Sequence, residues 1–383
     1  MRSWMVRGLL MGLLLSGSSS FAQRLITMEI QGFSRLRLSG DGRVVLDGSG
    51  NIWIWAEQTG WLYIRADGGL ARRWEEGMRV HTFGISYDGA VIVGDDRSRT
   101  QPYPEGQAFR WRLGVGVEYL AAPPNSWLYT VAMATSWDGR VIYGYGALSP
   151  IRWRSWRWQD GTAIELPLSY VWACSADGSC VLGQSGFDVR WCEDMGISGP
   201  GGHDISADGR IVVGGDWRWV EGRGFERIIP PQYRGTAFTV SGDGRIVGGV
   251  YHRSREDWDL EPWAFIWREG IGFEDLTQKY AGLLSEGAQL EEVHDISADG
   301  RYLLVVGTRP NPRWGRDGFI GIIDTRVTGD VDGNECVDDG DLLRVLFAFG
   351  QVGSGLPEDV DEDGMVWDSD LVLVLQHFGR GCR

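Results

Sequence analysis

Short apolar runs rich in β-branched residues recur along most of the chain, each bounded by Gly and Asp, in the rhythm of a β protein. The clearest marker is the tetrapeptide Ser-x-Asp-Gly, which occurs seven times, starting at Ser39, Ser86, Ser136, Ser175, Ser206, Ser241 and Ser297. Asp-Gly favours tight hairpin turns because both residues tolerate positive φ. An apolar residue precedes the serine (Ile85, Ile205, Val240, Ile296), and runs such as Val91-Ile92-Val93 or Ile211-Val212-Val213 follow the glycine. Each copy therefore reads as strand, turn, strand. A third strand ends in Trp, as in Ala108-Phe109-Arg110-Trp111 and Ala264-Phe265-Ile266-Trp267, with Trp55, Trp158, Trp191 and Trp219 in the same place. A Gly-rich turn then leads into a fourth strand, which carries Glu118, Glu165, Glu226 or Glu274 in four copies.

Four strands repeated seven times predict an all-β fold, a seven-bladed β-propeller over residues 23–326. Spacing between copies varies from Ser175–Ser206 to Ser241–Ser297, and such variation belongs in loops. The last copy yields strands at 301–306 and 318–323 but no fourth strand before Asp330. The stretch Leu25 to Ile30 is a strand without a blade, and it is expected to complete the last blade and remove two exposed edges. The Ser-x-Asp-Gly and Ala-Phe-x-Trp stretches resemble the HAF-repeat proteins over about residues 33–325, although the histidine of the His-Ala-Phe signature is absent. The resemblance implies an extracellular bacterial propeller and carries little about activity.

At Asp330 the composition changes: residues 330–383 hold 13 acidic and 3 basic residues. The acids have metal-loop spacing. Asp330, Asp332, Asn334, Asp338 and Asp341 fall at loop positions 1, 3, 5, 9 and 12, and Asp359, Asp361, Asp363 and Asp370 repeat positions 1, 3, 5 and 12. Hard oxygen ligands at these spacings suit two Ca²⁺ ions, with the backbone carbonyls of Cys336 and Met365 at position 7. Each loop runs into a short apolar helix: Leu342, Leu343, Val345, Leu346 and Phe349 correspond to Leu371, Val372, Val374, Leu375 and Phe378, and Gly350 and Gly379 are the stops. This duplicated loop–helix unit over residues 327–383 is similar to a dockerin, the calcium-folded module that plugs into cohesins. The resemblance implies a cohesin-like protein or cell-surface scaffold as partner; a calcium-stabilised cap on the propeller is the other reading. Glu335 stands where such loops have Gly, Trp367 cannot ligate at position 9, and the usual specificity pairs fall on Asp339-Gly340 and Asp368-Ser369.

Residues 1–22 read as a secretory signal peptide, with Arg2 and Arg7 ahead of an apolar stretch from Leu9 to Leu15 and a Ser20-Phe21-Ala22 cleavage site. That stretch is too short to span a bilayer, no later one is continuously apolar, and no lipobox cysteine follows, so a secreted, extracellular protein is expected. Five cysteines in an oxidising compartment permit disulfides. Cys336–Cys382 is expected to staple the tail, worth roughly 4 kcal/mol on the chain-entropy model. Among Cys174, Cys180 and Cys192, a Cys174–Cys180 bridge is preferred and Cys180–Cys192 is the alternative.

A net charge of −15 argues against nucleic acid as a partner. His203-Asp204 and His294-Asp295 occupy one place in the repeat where Phe83, Met133, Trp172 and Phe238 stand elsewhere, which favours a structural role over acid–base chemistry. The repeated glutamates likewise read as structural rather than as glycosidase pairs, and no catalytic residue is assigned. With 20 Trp and one needed per blade, Trp153, Trp156, Trp158, Trp217, Trp263 and Trp314 are left as candidate glycan platforms. Two functions follow: a secreted non-catalytic propeller binding a protein or glycan, or a secreted carbohydrate-active enzyme recruited to a polysaccharide-degrading assembly by its dockerin.

Overall fold

A computed structural model describes residues 24–28, 36–48, 52–56, 60–64, 80–97, 106–121, 128–149, 151–253, 261–313, 315–334, 336–353, 356–361 and 363–382. The expected signal peptide, Glu335 and Trp314 lie outside the described residues. One compact unit runs from Arg24 to Thr325 and a second covers Arg326–Arg383.

Among its described residues the first unit forms seven four-stranded antiparallel sheets, the repeated sheets of a β-propeller fold, numbered below as blades. Blades 1 to 6 span residues 37–64, 80–119, 129–166, 170–200, 204–227 and 234–275, with strands in chain order. Blade 7 is made from both ends of the unit. Gln289–Ile296, Tyr302–Asn311 and Gly315–Asp324 pair in sequence, and Arg24–Met28 adds antiparallel to the last of them, Leu25 opposite Ile323. The orphan N-terminal strand thus completes the final blade, as the sequence pattern predicts.

The Ser-x-Asp-Gly turns are all built alike. The serine hydroxyl donates to the Asp carboxylate at 2.6–2.8 Å in all seven copies. The same carboxylate oxygen accepts the N–H two residues on, and the serine oxygen accepts the N–H that opens the second strand; in blade 5 these are Arg210 and Ile211, each at 3.0 Å. Glycine is required at the fourth position because φ there is 70–77° in every copy.

The variable residue of the motif does something periodicity does not reveal. Its backbone joins each blade to the next in six copies, where the amides of Tyr87, Trp137, Ala176, Ala207, Gly242 and Ala298 donate in turn to the carbonyls of Trp137, Ala176, Ala207, Gly242, Ala298 and Gly40; in the first copy Gly40 accepts but the neighbouring Asp41 amide donates, to Tyr87, and all seven bonds are 2.8–2.9 Å. The series returns to its starting turn and closes a ring.

Between blades a second device repeats. An Arg directly before the blade Trp reaches into the following blade, over its Trp: Arg110 over Trp158 at 4.5 Å, Arg190 over Trp219 at 5.4 Å and Arg218 over Trp267 at 5.1 Å. Arg157, Arg190 and Arg218 also pair with Glu193, Glu221 and Glu269 of the following blade at 3.1, 3.2 and 3.4 Å. Arg190 and Arg218 are buried, so these charges depend on their partners.

The cysteine pairing differs from the preferred expectation. Cys180 bridges Cys192, directly opposite on the neighbouring strand with Cα atoms 4.1 Å apart, and Cys174 is a free thiol. Cys174 lies opposite Val181, which puts its side chain on the other face of the sheet from Cys180. Cys336–Cys382 forms as expected.

Replacing Asp208 with Ala removes the acceptor for both Ser206 and the Arg210 amide, and should destabilise the propeller by about 1–3 kcal/mol in urea unfolding. An exposed control, Arg210→Ala, should change little.

Candidate metal centres and the propeller channel

In the second unit two ten-residue helices, Asp339–Ala348 and Asp368–His377, each follow an acidic loop. Val331, Val337, Val345, Val360, Val366 and Val374 form their buried core. Gly350 and Gly379 stop the helices with φ of 85° and 83°, the left-handed cap the sequence predicts.

The two loops share a set of hydrogen bonds. Asp341 Oδ1 accepts the amides of Val331 and Asp332 at 2.7 and 3.0 Å, and its Oδ2 accepts the Asp338 amide at 2.8 Å. Asp370 does the same with Val360 and Asp361 at 2.6 and 3.1 Å and with Trp367 at 2.8 Å. The amides of Asn334 and Asp363 donate to the first and second acids of their loops, Asp330 with Asp332 and Asp359 with Asp361, at 3.1–3.2 Å. These bonds fold each loop back so that its acids converge. Carboxylate oxygens of Asp330, Asp332 and Asp341 lie within 4.8 Å of one another, as do those of Asp359, Asp361 and Asp363.

Other candidate ligands serve the loops in different ways. Asp338 caps its helix by accepting the Gly340 amide at 2.7 Å, and the Asn334 side chain accepts the Cys336 amide at 2.7 Å. The Met365 amide donates to Asp363 at 2.9 Å. Crowding has an electrostatic signature. Burial, then the charges of Asp341 and Asp332, push the Asp330 carboxyl up to about 7. Asp359 is raised in the same direction, by burial first and then by Asp370 and Asp361.

The innermost strands enclose a channel cavity of about 160 Å³, lined by His203, Asp204, His294, Asp295, Trp172 and Cys174 among others. The repeated His-Asp pairs are here, and the Asp of each joins two blades. Asp204 accepts the amides of Ile205 and, from the next blade, Val240, both at 2.9 Å. Asp295 accepts Ile296 and Leu38 at 2.9 Å, fastening blade 7 to blade 1, and the Thr239 hydroxyl at 3.2 Å. The histidines are secondary. His203 Nδ1 lies 2.8 Å from the Ala237 carbonyl, which requires the hydrogen on that nitrogen, just as Trp172 Nε1 donates to Gly202 at 2.8 Å. Enclosure and the Arg37 charge push His294 down to about 4, so its imidazole stays neutral. Burial, then Asp177 and Asp204, push the Cys174 thiol up to about 12, the opposite of an activated nucleophile. The motif His-Asp-Ile-Ser-Ala-Asp-Gly, present in blades 5 and 7, is the sequence signal for the two aspartates.

The repeated glutamates are tied down as the structural reading expects. Glu118 pairs with Arg110 at 2.7 Å, Glu165 with Arg154 at 3.4 Å, Glu226 with Arg218 at 3.3 Å and Glu274 with Arg268 at 3.2 Å, each within its own blade. Trp156 and Trp158 are core residues, 1% and 3% exposed, and Trp263 lies under the Arg253 guanidinium at 3.5 Å.

Enclosure in the channel, then the Asp295 charge, push the Asp204 carboxyl up to about 7. The unfolded chain releases this proton near pH 4. Between about 4 and 7 the folded state therefore holds the extra proton, and the stability it contributes is lost as pH rises through that window. Asp204→Asn should flatten the decline of urea-unfolding stability between pH 4 and 7; a slope identical to wild type would refute the assignment.

No family model matches the chain, and no curated protein does either. Among solved structures it is similar to a putative TolB from Agrobacterium tumefaciens, with 15% identity and a TM-score of 0.37 over 77% of this chain and 91% of that one. TolB from Acinetobacter baumannii gives 13% identity and a TM-score of 0.35 over 63% of this chain and 53% of the other. The tricorn protease gives 14% and 0.30 over 76% of this chain and 27% of the other. The assignment to the β-propeller class rests on the chain's own successive four-stranded antiparallel sheets.

Proposed function

We propose that the chain is an exported, non-catalytic seven-bladed propeller that binds a protein or glycan. In this reading its C-terminal dockerin-like module folds around two Ca²⁺ ions and docks on a cohesin-like protein or cell-surface scaffold. The observation that carries the reading is the pair of acidic loops with matching hydrogen bonds. Oxygens bound to one Ca²⁺ at about 2.3–2.6 Å can be at most roughly 5 Å apart, and the clustered carboxylates meet that condition at 4.8 Å. The donor set is all oxygen; burial first, and then the charges of Asp341 and Asp332, raise Asp330, and that like-charge part is what a divalent cation relieves. Asp330, Asp332, Asn334, Asp338 and Asp341 with the Cys336 carbonyl would hold one ion. Asp359, Asp361, Asp363 and Asp370 with the Met365 carbonyl would hold the other.

Docking is supported by the helices. Leu343, Leu346 and Phe349 and their counterparts Val372, Leu375 and Phe378 are exposed, and so is Phe347, at 84%, where the second helix has Gln376. Matching apolar rows on both helices suit a protein partner better than water. Export is supported by the two disulfides. The non-catalytic reading is favoured by the repeated glutamates, each held by an Arg of its own blade.

Calcium at about 100 times its dissociation constant should stabilise the module by about 2.7 kcal/mol for each site filled, read as a higher unfolding temperature of the mature chain. Chelator should abolish the shift, and so should Asp341→Ala with Asp370→Ala. A cohesin-like partner should be captured from the source secretome in calcium and lost in chelator and in the double variant. Equal capture in all three conditions would make the tail a cap and place the binding on the propeller.

A further inference from the structure

We propose that the propeller channel is a binding site for a small organic ammonium ion, held between a carboxylate wall and an apolar wall. The walls follow from the repeat. Two residues before the motif serine stand Asp204, Thr239, Asp295 and Arg37 in blades 5, 6, 7 and 1. The same place holds Gly84, Ala134 and Ala173 in blades 2, 3 and 4, each preceded by a large apolar residue, Phe83, Met133 or Trp172. Blade 7 adjoins blade 1 through the Ala298–Gly40 bond, so the polar residues form one unbroken arc and the apolar ones the arc facing it. Both arcs line the same cavity of about 160 Å³.

Backbone bulges bring the apolar side chains there. The innermost strand shifts register between Thr82 and Gly84, Ala132 and Ala134, and Val171 and Ala173, which leaves Phe83, Met133 and Trp172 as extra residues. A bulge re-aims its extra side chain, and each of these lines the channel beside the small residue that follows it. Two further rings cross the Ser-x-Asp-Gly end of the cavity. Tyr87 lies against Gly40 of blade 1, and Trp137 reaches from blade 3 to Gly242 of blade 6; a Cβ at either glycine would crowd the ring. Arg37 and His203, both exposed, mark the open end.

Joining the blades does not exhaust the carboxylates. Asp204 accepts two hydrogen bonds and Asp295 three, of about four sites on each carboxylate. Both residues keep surface open to the cavity. Two carboxylates against one guanidinium leave the polar arc a net negative charge, which one monovalent cation balances. Burial first, and then the Asp295 charge, raise Asp204, and a cation beside it would remove that repulsion. An ammonium group would donate to the remaining carboxylate sites while its apolar body packs on Phe83, Met133 and Trp172, and the faces of Phe and Trp attract cations themselves. Among the described residues only the tail loops bring three acidic, His or Cys ligands within reach of one metal ion, so the channel suits an organic cation better than a bare metal. A cavity of about 150 Å³ in an engineered protein takes benzene, which sets the size of the ligand.

The test is titration calorimetry of the mature chain with benzylamine, and with benzyl alcohol and benzoate as neutral and anionic probes of similar size, at about pH 8, above the Asp204 value. Benzylamine should bind saturably and at least about tenfold tighter than benzyl alcohol, with benzoate giving no heat of binding. Asp204→Asn should weaken benzylamine about tenfold or more and leave benzyl alcohol unchanged. Because Asp204 also joins two blades, the deciding variant is Ala173→Leu, which keeps both carboxylates and fills the cavity; it should abolish benzylamine binding. No saturable heat with benzylamine, equal affinity for benzylamine and benzyl alcohol, or binding undiminished by Ala173→Leu would overturn the site, and the comparison of probes needs no variant. The channel site goes beyond the function proposed above. Loss of the calcium response would sink the reading of the tail and leave the channel untouched, and failure of benzylamine to bind would leave the calcium response standing.

Discussion

A four-stranded blade cannot bury both of its faces alone, so each sheet of the propeller is stable only between two others. The circle of backbone hydrogen bonds through the Ser-x-Asp-Gly turns meets this constraint. Each turn is fixed internally by its Ser–Asp bond, which leaves the variable residue free to accept from behind and, in six of the seven turns, to donate forward, Asp41 donating in the first. Because these bonds use backbone atoms, Gly40, Tyr87, Trp137, Ala176, Ala207, Gly242 and Ala298 can differ without breaking the circle. Side-chain identity at that position is thereby released for other uses: Tyr87 and Trp137 lie 4.9 Å apart across adjacent blades.

Charged groups between blades follow from the same geometry. Arg190 and Arg218, each directly before a blade Trp, would be unpaired buried charges in an isolated sheet; in the assembled propeller each has an indole face and a Glu from the next blade. Such groups add little stability over apolar packing, but removing one partner leaves a buried charge, so they oppose slipped or partial assembly. Asp204 and Asp295 act alike at the channel wall. The channel's buried polar groups are thus largely consumed in joining blades.

The tail answers the problem of small size differently. Its apolar core is a few valines, and each loop is organised by one buried acid, Asp341 or Asp370, that accepts three backbone amides. The remaining carboxylates are pressed together at a cost in charge repulsion that a bound cation would remove, so metal binding and folding would be one event. The Cys336–Cys382 bridge ties the two repeats across their ends.

The fold was largely legible because its signals are local. Asp-Gly turns, β-branched runs and the orphan strand at Leu25 depend on neighbours a few residues away, and the loop spacing of the tail is a property of sequence order alone. Legibility failed where a side chain's partner lies on another strand or in another blade. Cys180 took Cys192 rather than Cys174 because strand register, not proximity along the chain, decides which Cβ atoms face each other. The His-Asp pairs drew notice for the histidine, while the aspartates hold Val240 and Leu38 of the following blades. Trp153 and Trp156 look equivalent in the string Trp-Arg-Ser-Trp; a separation of three positions along the strand sends them to opposite faces, one half-buried beside Tyr170 and the other into the core. The sequence determined the repeat, the turns and the acidic loops because each is encoded within one copy. Tertiary structure alone decided the pairings across blades, because they depend on the distance between segments that no local pattern records.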